Sequence, residues 1–337
     1  MTYHITLQPS GHQFTAGANE TLLEAALAAD IHLPYGCRNG ACGACKGHVV
    51  SGEVDLGAYQ PSTLSEADRA AGQALLCTAH ARSDLTLKVR EVSRAGEVAP
   101  RTLPCRVERM ERLAPDVMAL WLKLPANERL QFLPGQYLDF LFKDGRRRSF
   151  SLANNPEHDA LIELHIRHVP GGWFTDQVFS AMKVKDIMRI NGPHGSFFLR
   201  DSDKPAILLA GGTGYAPMKS ILSHALHADA GRHFILYWGA RTRADLYQID
   251  GPQQWQAHPR FDFIPVLSEP DTAWPGRSGL VHQAIMADFP SLSGVEVYAC
   301  GAPPMIDAAR RDFLALGLPE DAFYADSFNY QETHEAR

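Results

Sequence analysis

The sequence predicts a multidomain chain: a small sheet packed on one helix, then an antiparallel β-barrel, then a doubly wound α/β domain. Three observations predict it. Residues 1–92 alternate short strand patterns with a single helix signal. Residues 101–199 read as short strands punctuated by Pro and Gly turns. After Pro205, apolar strand patterns alternate with helical stretches, the signature of a parallel sheet covered on both faces. A length of 337 residues exceeds one ordinary core, and 45% hydrophobic residues are enough to fill several. A net charge of -6 argues against nucleic acid or an anionic membrane as partner. No apolar run approaches the roughly 20 residues needed to cross a bilayer. The start Met1-Thr2-Tyr3-His4-Ile5-Thr6 lacks a basic segment followed by an apolar stretch, so a reducing, cytoplasmic setting is expected.

In order, Tyr3–Leu7 and Gln13–Thr15 read as a hairpin closed by Pro9-Ser10-Gly11. Asn19-Glu20-Thr21 then opens an Ala/Leu-rich helix reaching Ala29. His48–Val50 and Leu85–Val89 add strands, and residues 93–100 have linker composition. Barrel strands are expected at Cys105–Arg109, Val117–Leu124, Tyr137–Phe142, Ser149–Ala153 and Leu161–His168. In residues 200–330, buried strands are expected at Ala206–Ala210, Phe234–Trp238, Phe261–Val266 and Val295–Cys300.

The sharpest chemical signal is Cys37, Cys42 and Cys45 in a C-x4-C-x2-C run, with Cys77 far downstream. This is the plant-type 2Fe-2S ligand spacing: one tight loop supplies three thiolates and another element supplies the fourth. Gly36, Gly40 and Gly43 suit a loop that must turn N–H groups toward sulfur. The competing readings are disulfides, which imply secretion, and zinc, which usually takes two C-x2-C pairs or a Cys/His mixture. Cys105 has no partner motif and reads as buried filler.

Three further segments have the composition of anion sites. Ala206–Ala210 runs into Gly211-Gly212-Thr213-Gly214, and Ala216-Pro217-Met218 opens a helix, which together make a phosphate cradle. Arg148-Ser149-Phe150-Ser151 offers a bidentate cation at a barrel strand, and Gly172-Trp173-Phe174-Thr175 offers N–H and hydroxyl donors at a helix start. A dinucleotide flavin would satisfy the last two.

With these residues in place, the whole chain resembles a plant-type 2Fe-2S ferredoxin domain fused ahead of a ferredoxin-NADP reductase module. The resemblance implies a β-grasp ferredoxin domain (residues 1–92), an antiparallel β-barrel binding FAD (101–199) and an α/β doubly wound domain binding NAD(P) (200–330). Arg148-Ser149-Phe150-Ser151 matches the family's R-x-Y-S flavin motif, with Phe150 keeping a ring but losing the tyrosine hydroxyl. It implies that Arg148 holds the FAD pyrophosphate, that Ser151 bonds near flavin N5, and that Gly172 and Thr175 belong to the second phosphate segment. Gly192-Pro193-His194-Gly195-Ser196-Phe197 matches the family's G-P-x-G-x-F turn. Gly211, Gly212, Thr213, Gly214 and Pro217 match the pyridine-nucleotide loop. Cys300-Gly301-Ala302-Pro303-Pro304-Met305 resembles the C-G-x-x-x-M segment, which implies that Cys300 sits beside nicotinamide C4. Phe328 resembles the aromatic that covers the flavin, against the reading of a plain core aromatic.

Ser268-Glu269 stands where NADPH-specific relatives place a serine-arginine pair. A carboxylate there suits the 2′-hydroxyl of NADH, although Arg241 and Arg243 offer a grip for the phosphate of NADPH. The implied activity is two-to-one electron conversion: a hydride pair enters FAD and leaves singly through the cluster. The acceptor is expected to be a separate protein, an aromatic oxygenase component placed ahead of the iron-sulfur dehydrase served by CDP-deoxyglucoseen reductases. A nucleotide-regulated redox sensor is the alternative from a different class.

Overall fold

The computed structural model describes residues 1–61, 63–89 and 98–328. Residues 93–97 of the expected linker, its boundary at 92 and the expected domain end at 330 lie outside them. Among the described residues, one unit comprises the segment up to Ala99 together with His194–Phe197; the other comprises Pro100–Pro193 and the chain from Phe198 onward.

The first unit begins with the expected hairpin, β1 (Thr2–Gln8) antiparallel to β2 (Gln13–Gly17). Helix α1 (Leu22–Ala28) starts at Thr21, whose side chain accepts from Glu24 N while the Glu24 carboxylate reaches back to Thr21 N. That reciprocal cap sets where the chain turns toward the cysteine loop. There follow β3 (Lys46–Ser51), β4 (Val54–Asp55), α2 (Glu66–Ala70), β5 (Gln73–Leu75), β6 (His80–Ala81) and β7 (Leu85–Lys88). The main sheet has order β2-β1-β7-β3-β5, with β1 and β7 parallel and the other pairs antiparallel. Leu22, Leu23, Ala25 and Ala26 of α1 pack on Ile5, Leu7, Leu85 and Leu87, so one helix covers one sheet as in a β-grasp.

The second unit opens with a six-stranded antiparallel sheet: β8 (Arg101–Ala114), β9 (Val117–Lys123), β10 (Tyr137–Leu141), β11 (Arg147–Ser151), β12 (Ile162–Arg167) and, after α3 (Trp173–Ser180), β13 (Ile187–His194). Its order is β11-β10-β13-β8-β9-β12. An antiparallel bridge between Leu152 and Leu164 joins the two end strands and closes the barrel. Gly192, Pro193 and His194 were expected in a turn. They lie instead within β13, where Gly192 pairs with Arg101 and a Cβ would come within 3.0 Å of the Leu138 side chain. Close strand approach, rather than chain reversal, is what calls for glycine there. The turn proper begins at Gly195 (φ +92°).

The α/β half carries β14 (Ala206–Gly211), α4 (Tyr215–His227), β15 (Phe234–Ala240), α5 (Asp250–Trp255), β16 (Phe261–Leu267), β17 (Arg277–Ser278), α6 (Val281–Asp288), β18 (Glu296–Gly301), α7 (Pro303–Ala315) and β19 (Phe323–Ser327). The sheet is parallel with order β17-β16-β15-β14-β18-β19. Strand order reverses between β14 and β18, so a ligand crevice is expected at their carboxyl ends. Gly211 and Gly301 end those strands, and β19 is an edge strand the sequence reading did not anticipate.

Candidate functional sites

The loop after α1 brings the four cysteine thiols together in pairs. Cys37 and Cys42 share a hydrogen bond, as do Cys45 and Cys77. Gly40 (φ +75°) makes this possible: a Cβ there would lie 2.9 Å from Ala58 O and Tyr59 Cα. Its carbonyl accepts from Gln60 N (3.1 Å) and Thr63 Oγ1 (2.8 Å). Leu76 N donates to Cys45 O (3.1 Å), which carries Cys77 to the loop. Cys37 N donates to Cys42 Sγ and Ala41 N to Cys37 Sγ, each at 3.4 Å. The bond from Cys42, aided by the backbone N–H groups of Asn39, Ala41 and Cys42 against burial, pulls the Cys37 thiol down to about 6. Cys77 is lowered by its bond from Cys45, while Cys42 and Cys45 are raised by the same pairing and by burial. All six cysteines are unbridged, and among the described residues no group of three or more His, Cys, Asp or Glu is set around a single ion. Two pairs of sulfurs fit two irons and do not fit one tetrahedral zinc. Cys105 is buried with its thiol pushed up to about 12 by desolvation, the behaviour of a core residue.

On the barrel, Arg148, Ser149, Phe150 and Ser151 lie along β11. Arg148 faces Phe140 across the ladder and Ser151 faces Tyr137. Ser149 Oγ donates to Asp139 Oδ1 (2.6 Å), and the Phe150 ring packs on Phe140 and Phe174. The Arg146 and Arg148 guanidiniums stand 3.8 and 5.1 Å from the Trp173 ring. Burial, then the neighbouring Arg146 charge, lowers the Arg148 pKa. Gly172 is the N-cap of α3, where a Cβ would stand 2.7 Å from Thr175 Oγ1. The Thr175 hydroxyl, expected as a phosphate donor, is held by its own loop instead: it donates to Val169 O (3.0 Å) and accepts from Val169 N (3.2 Å). The helix start therefore offers its first-turn N–H groups. Trp173, named within that segment but given no side-chain role, has a buried indole N–H with no protein partner. Two arginines, first-turn amides and that N–H fit the pyrophosphate and adenine end of FAD.

At the crevice between β14 and β18, Gly211–Gly214 form a tight turn into α4. Any Cβ on Gly214 would overlap the Cys300 carbonyl, and one on Gly211 would stand 2.6 Å from Met305 Sδ. The glycines thus let the loop lie against the Cys300–Gly301 segment. Thr213 is buried, and Pro217 occupies the first turn of α4, where its missing N–H has no intrahelical partner to lose. Cys300 is fully buried, with its thiol raised by burial and then by Asp326, so it is neutral and non-nucleophilic. Phe328 N donates to Gly301 O (2.9 Å), which fixes the C-terminal aromatic beside this segment. Ser327, paired in register with Gly301, presents a buried hydroxyl without a partner. No sequence signal marked Asp326 or Ser327. Beyond β16, Glu269 N donates to Arg241 O (2.8 Å), so the two residues that the sequence weighs for the adenosine ribose are neighbours in the chain fold.

Comparison with known proteins agrees with this layout. Residues 5–82 match the 2Fe-2S iron-sulfur cluster binding domain, 104–199 the oxidoreductase FAD-binding domain and 208–311 the oxidoreductase NAD-binding domain. The chain is 40% identical to the CDP-6-deoxy-L-threo-D-glycero-4-hexulose-3-dehydrase reductase of Yersinia pestis, over 97% of this chain and 99% of that one. It is 36% identical to the reductase component of phenol 2-monooxygenase from Pseudomonas sp. strain CF600, over 97% and 95%. The crystal structure of an Amycolatopsis cytochrome P450 reductase superposes with a TM-score of 0.77 at 34% identity, covering 97% of this chain and 98% of that one. The chain belongs to the family of oxidoreductases that join a plant-type 2Fe-2S ferredoxin domain to an FAD- and NAD-binding reductase module.

Proposed function

We propose that this reductase draws electrons from NADH and delivers them to a separate oxygenase component. The observation that carries the reading is the presence, in one chain, of two thiol pairs fit for two irons and a glycine loop seated against Cys300 at the α/β crevice. When bound, FAD supplies the conversion of a hydride pair into single electrons that the cluster passes on. The chain's residues do the rest. Arg148, the first-turn amides of α3 and Trp173 hold the flavin, Phe150 and Ser151 line its ring, and Phe328 covers it. Gly211–Gly214 and Pro217 shape the nucleotide site, and Cys300 packs at the reacting end as a neutral group. The Glu269 carboxylate would repel a ribose phosphate and suits a hydroxyl, which supports NADH over the grip that Arg241 could offer. Domain boundaries near 92 and 199 and a reducing cytoplasmic setting complete the reading; unbridged cysteines support the latter.

A second acceptor, an iron-sulfur sugar dehydrase, is supported by the 40% identity to the Yersinia reductase. Reconstitution separates the two. The loaded reductase and NADH are mixed with a purified ring-hydroxylating oxygenase component or with a CDP-hexulose dehydrase, using cytochrome c as the reference acceptor. The reading expects product only in the oxygenase mixture. Product only with the dehydrase reverses the assignment, and cytochrome c reduction with neither acceptor removes both.

A further inference from the structure

Strand β12 carries a second line of side chains. Ile162, Leu164 and Ile166 enter the barrel core, while Glu163 and His165 point to the other face and are buried there as well. Lys219 of α4 donates to Glu163 Oε1, His165 Nε2 lies 2.9 Å from the same oxygen, and the Tyr247 hydroxyl lies 3.0 Å from His165 Nδ1. Burial raises the Glu163 carboxyl, but the His165 hydrogen bond and the Lys219 charge outweigh it and hold it at about 2. Burial and Lys219 push His165 down, so it is neutral. Lys219 already supplies the positive charge that Glu163 needs. A neutral imidazole has one donor and one acceptor. A carboxylate can only accept, so His165 Nε2–H donates to Glu163 and Nδ1 accepts from Tyr247. The chain has a single direction.

Beyond Tyr247 the contacts run to the nucleotide loop. Its ring meets Trp238 edge-on (5.2 Å, 84°), Tyr215 stacks on Trp238 (4.0 Å, 13°), and Trp238 Nε1 donates to Gly212 O (2.9 Å). Arg167, at the end of β12, lies against Gly212, whose Cβ would be 2.8 Å from its guanidinium.

We propose that Lys219, Glu163, His165 and Tyr247 are positioning residues that fix the nucleotide loop against barrel strand β12, and so set the approach of the nicotinamide to the flavin. The inference rests on NADH binding at Gly211–Gly214. With both groups bound, the step it would serve transfers one hydride, with its electron pair, from NADH to FAD, leaving NAD+ and an anionic reduced flavin that takes a single proton from water if it becomes neutral.

Tyr247→Phe keeps the ring on Trp238 and removes only the hydroxyl; His165→Gln is the second variant. In the full-length loaded protein, anaerobic stopped-flow mixing is expected to show flavin reduction at saturating NADH slowed roughly tenfold in both, because small misplacements at a reacting centre are amplified in rate. In Tyr247→Phe, NAD+ affinity, FAD content and melting midpoint should stay near wild type. Without nucleotide, hydrogen exchange across residues 212–219 should quicken. Unchanged reduction and exchange in Tyr247→Phe overturn the proposal, as does a rate loss in both variants that follows loss of FAD or of the melting midpoint. A wild-type flavin that NADH does not reduce would remove the underlying reading itself.

Discussion

At Cys37 the residue scale shows what spacing conveys and what it omits. The C-x4-C-x2-C run announced four converging ligands, and the fold adds their pairing, Cys37 with Cys42 and Cys45 with Cys77, which no linear pattern encodes. Glu163 and His165 give a second case. Glu163 is held at about 2 in the fold, against an ordinary 4.5, so the unfolded chain binds its proton first. The stability it lends is present above pH 4.5 and lost as pH falls toward 2. His165, lowered by burial, acts in the same direction below pH 6.5, because the unfolded chain again takes the proton more readily. Denaturant melts at stepped pH should show stability declining below 6.5 and more steeply below 4.5, and Glu163→Gln should flatten the lower part. Stability that holds level down to pH 3 would contradict the assignment of an ionised Glu163.

Elements were legible where one periodicity served one environment. The hairpin, α1 and the central parallel strands β14, β15, β16 and β18 fall where hydrophobic runs and cap residues placed them. β12 shows the limit: its alternation of Ile162, Leu164 and Ile166 with Glu163, His165 and Arg167 reads as a strand with one wet face, yet helix α4 and the Tyr247 loop roof the polar side. β13 was hidden because Asn191-Gly192-Pro193 carries turn chemistry inside a strand. β19 was hidden because Phe323–Ser327 mixes Asp and Ser into a short edge strand, although it is what delivers Phe328 to Gly301. The glycine loop permits a direct test. Gly214→Ala would drive a methyl group into the Cys300 carbonyl, and overpacking of this kind costs about 1–3 kcal/mol. NADH affinity should fall at least tenfold while FAD content and cluster absorbance persist. Gly145→Ala, in open space at a barrel turn with φ +83°, should leave NADH binding unchanged. Equal NADH affinity in Gly214→Ala and wild type would show that the loop does not depend on this close approach.

At the scale of the whole molecule, the chain holds an electron entry and an electron exit on separate sheets. The composition made several cores certain, and the chemistry of the three motifs already suggested the direction of flow; the Trp173 indole, the Asp326 carboxylate and the Ser327 hydroxyl emerged as site groups only from tertiary contact. The central claim is that NADH electrons reach the cluster through flavin within this one chain. Its most direct test is an anaerobic titration of the loaded protein with NADH, following flavin and cluster absorbance together and cytochrome c reduction in parallel. Both chromophores should bleach, cytochrome c should be reduced, and NADH should act faster than NADPH. A flavin that bleaches while the cluster stays oxidised would contradict the claim.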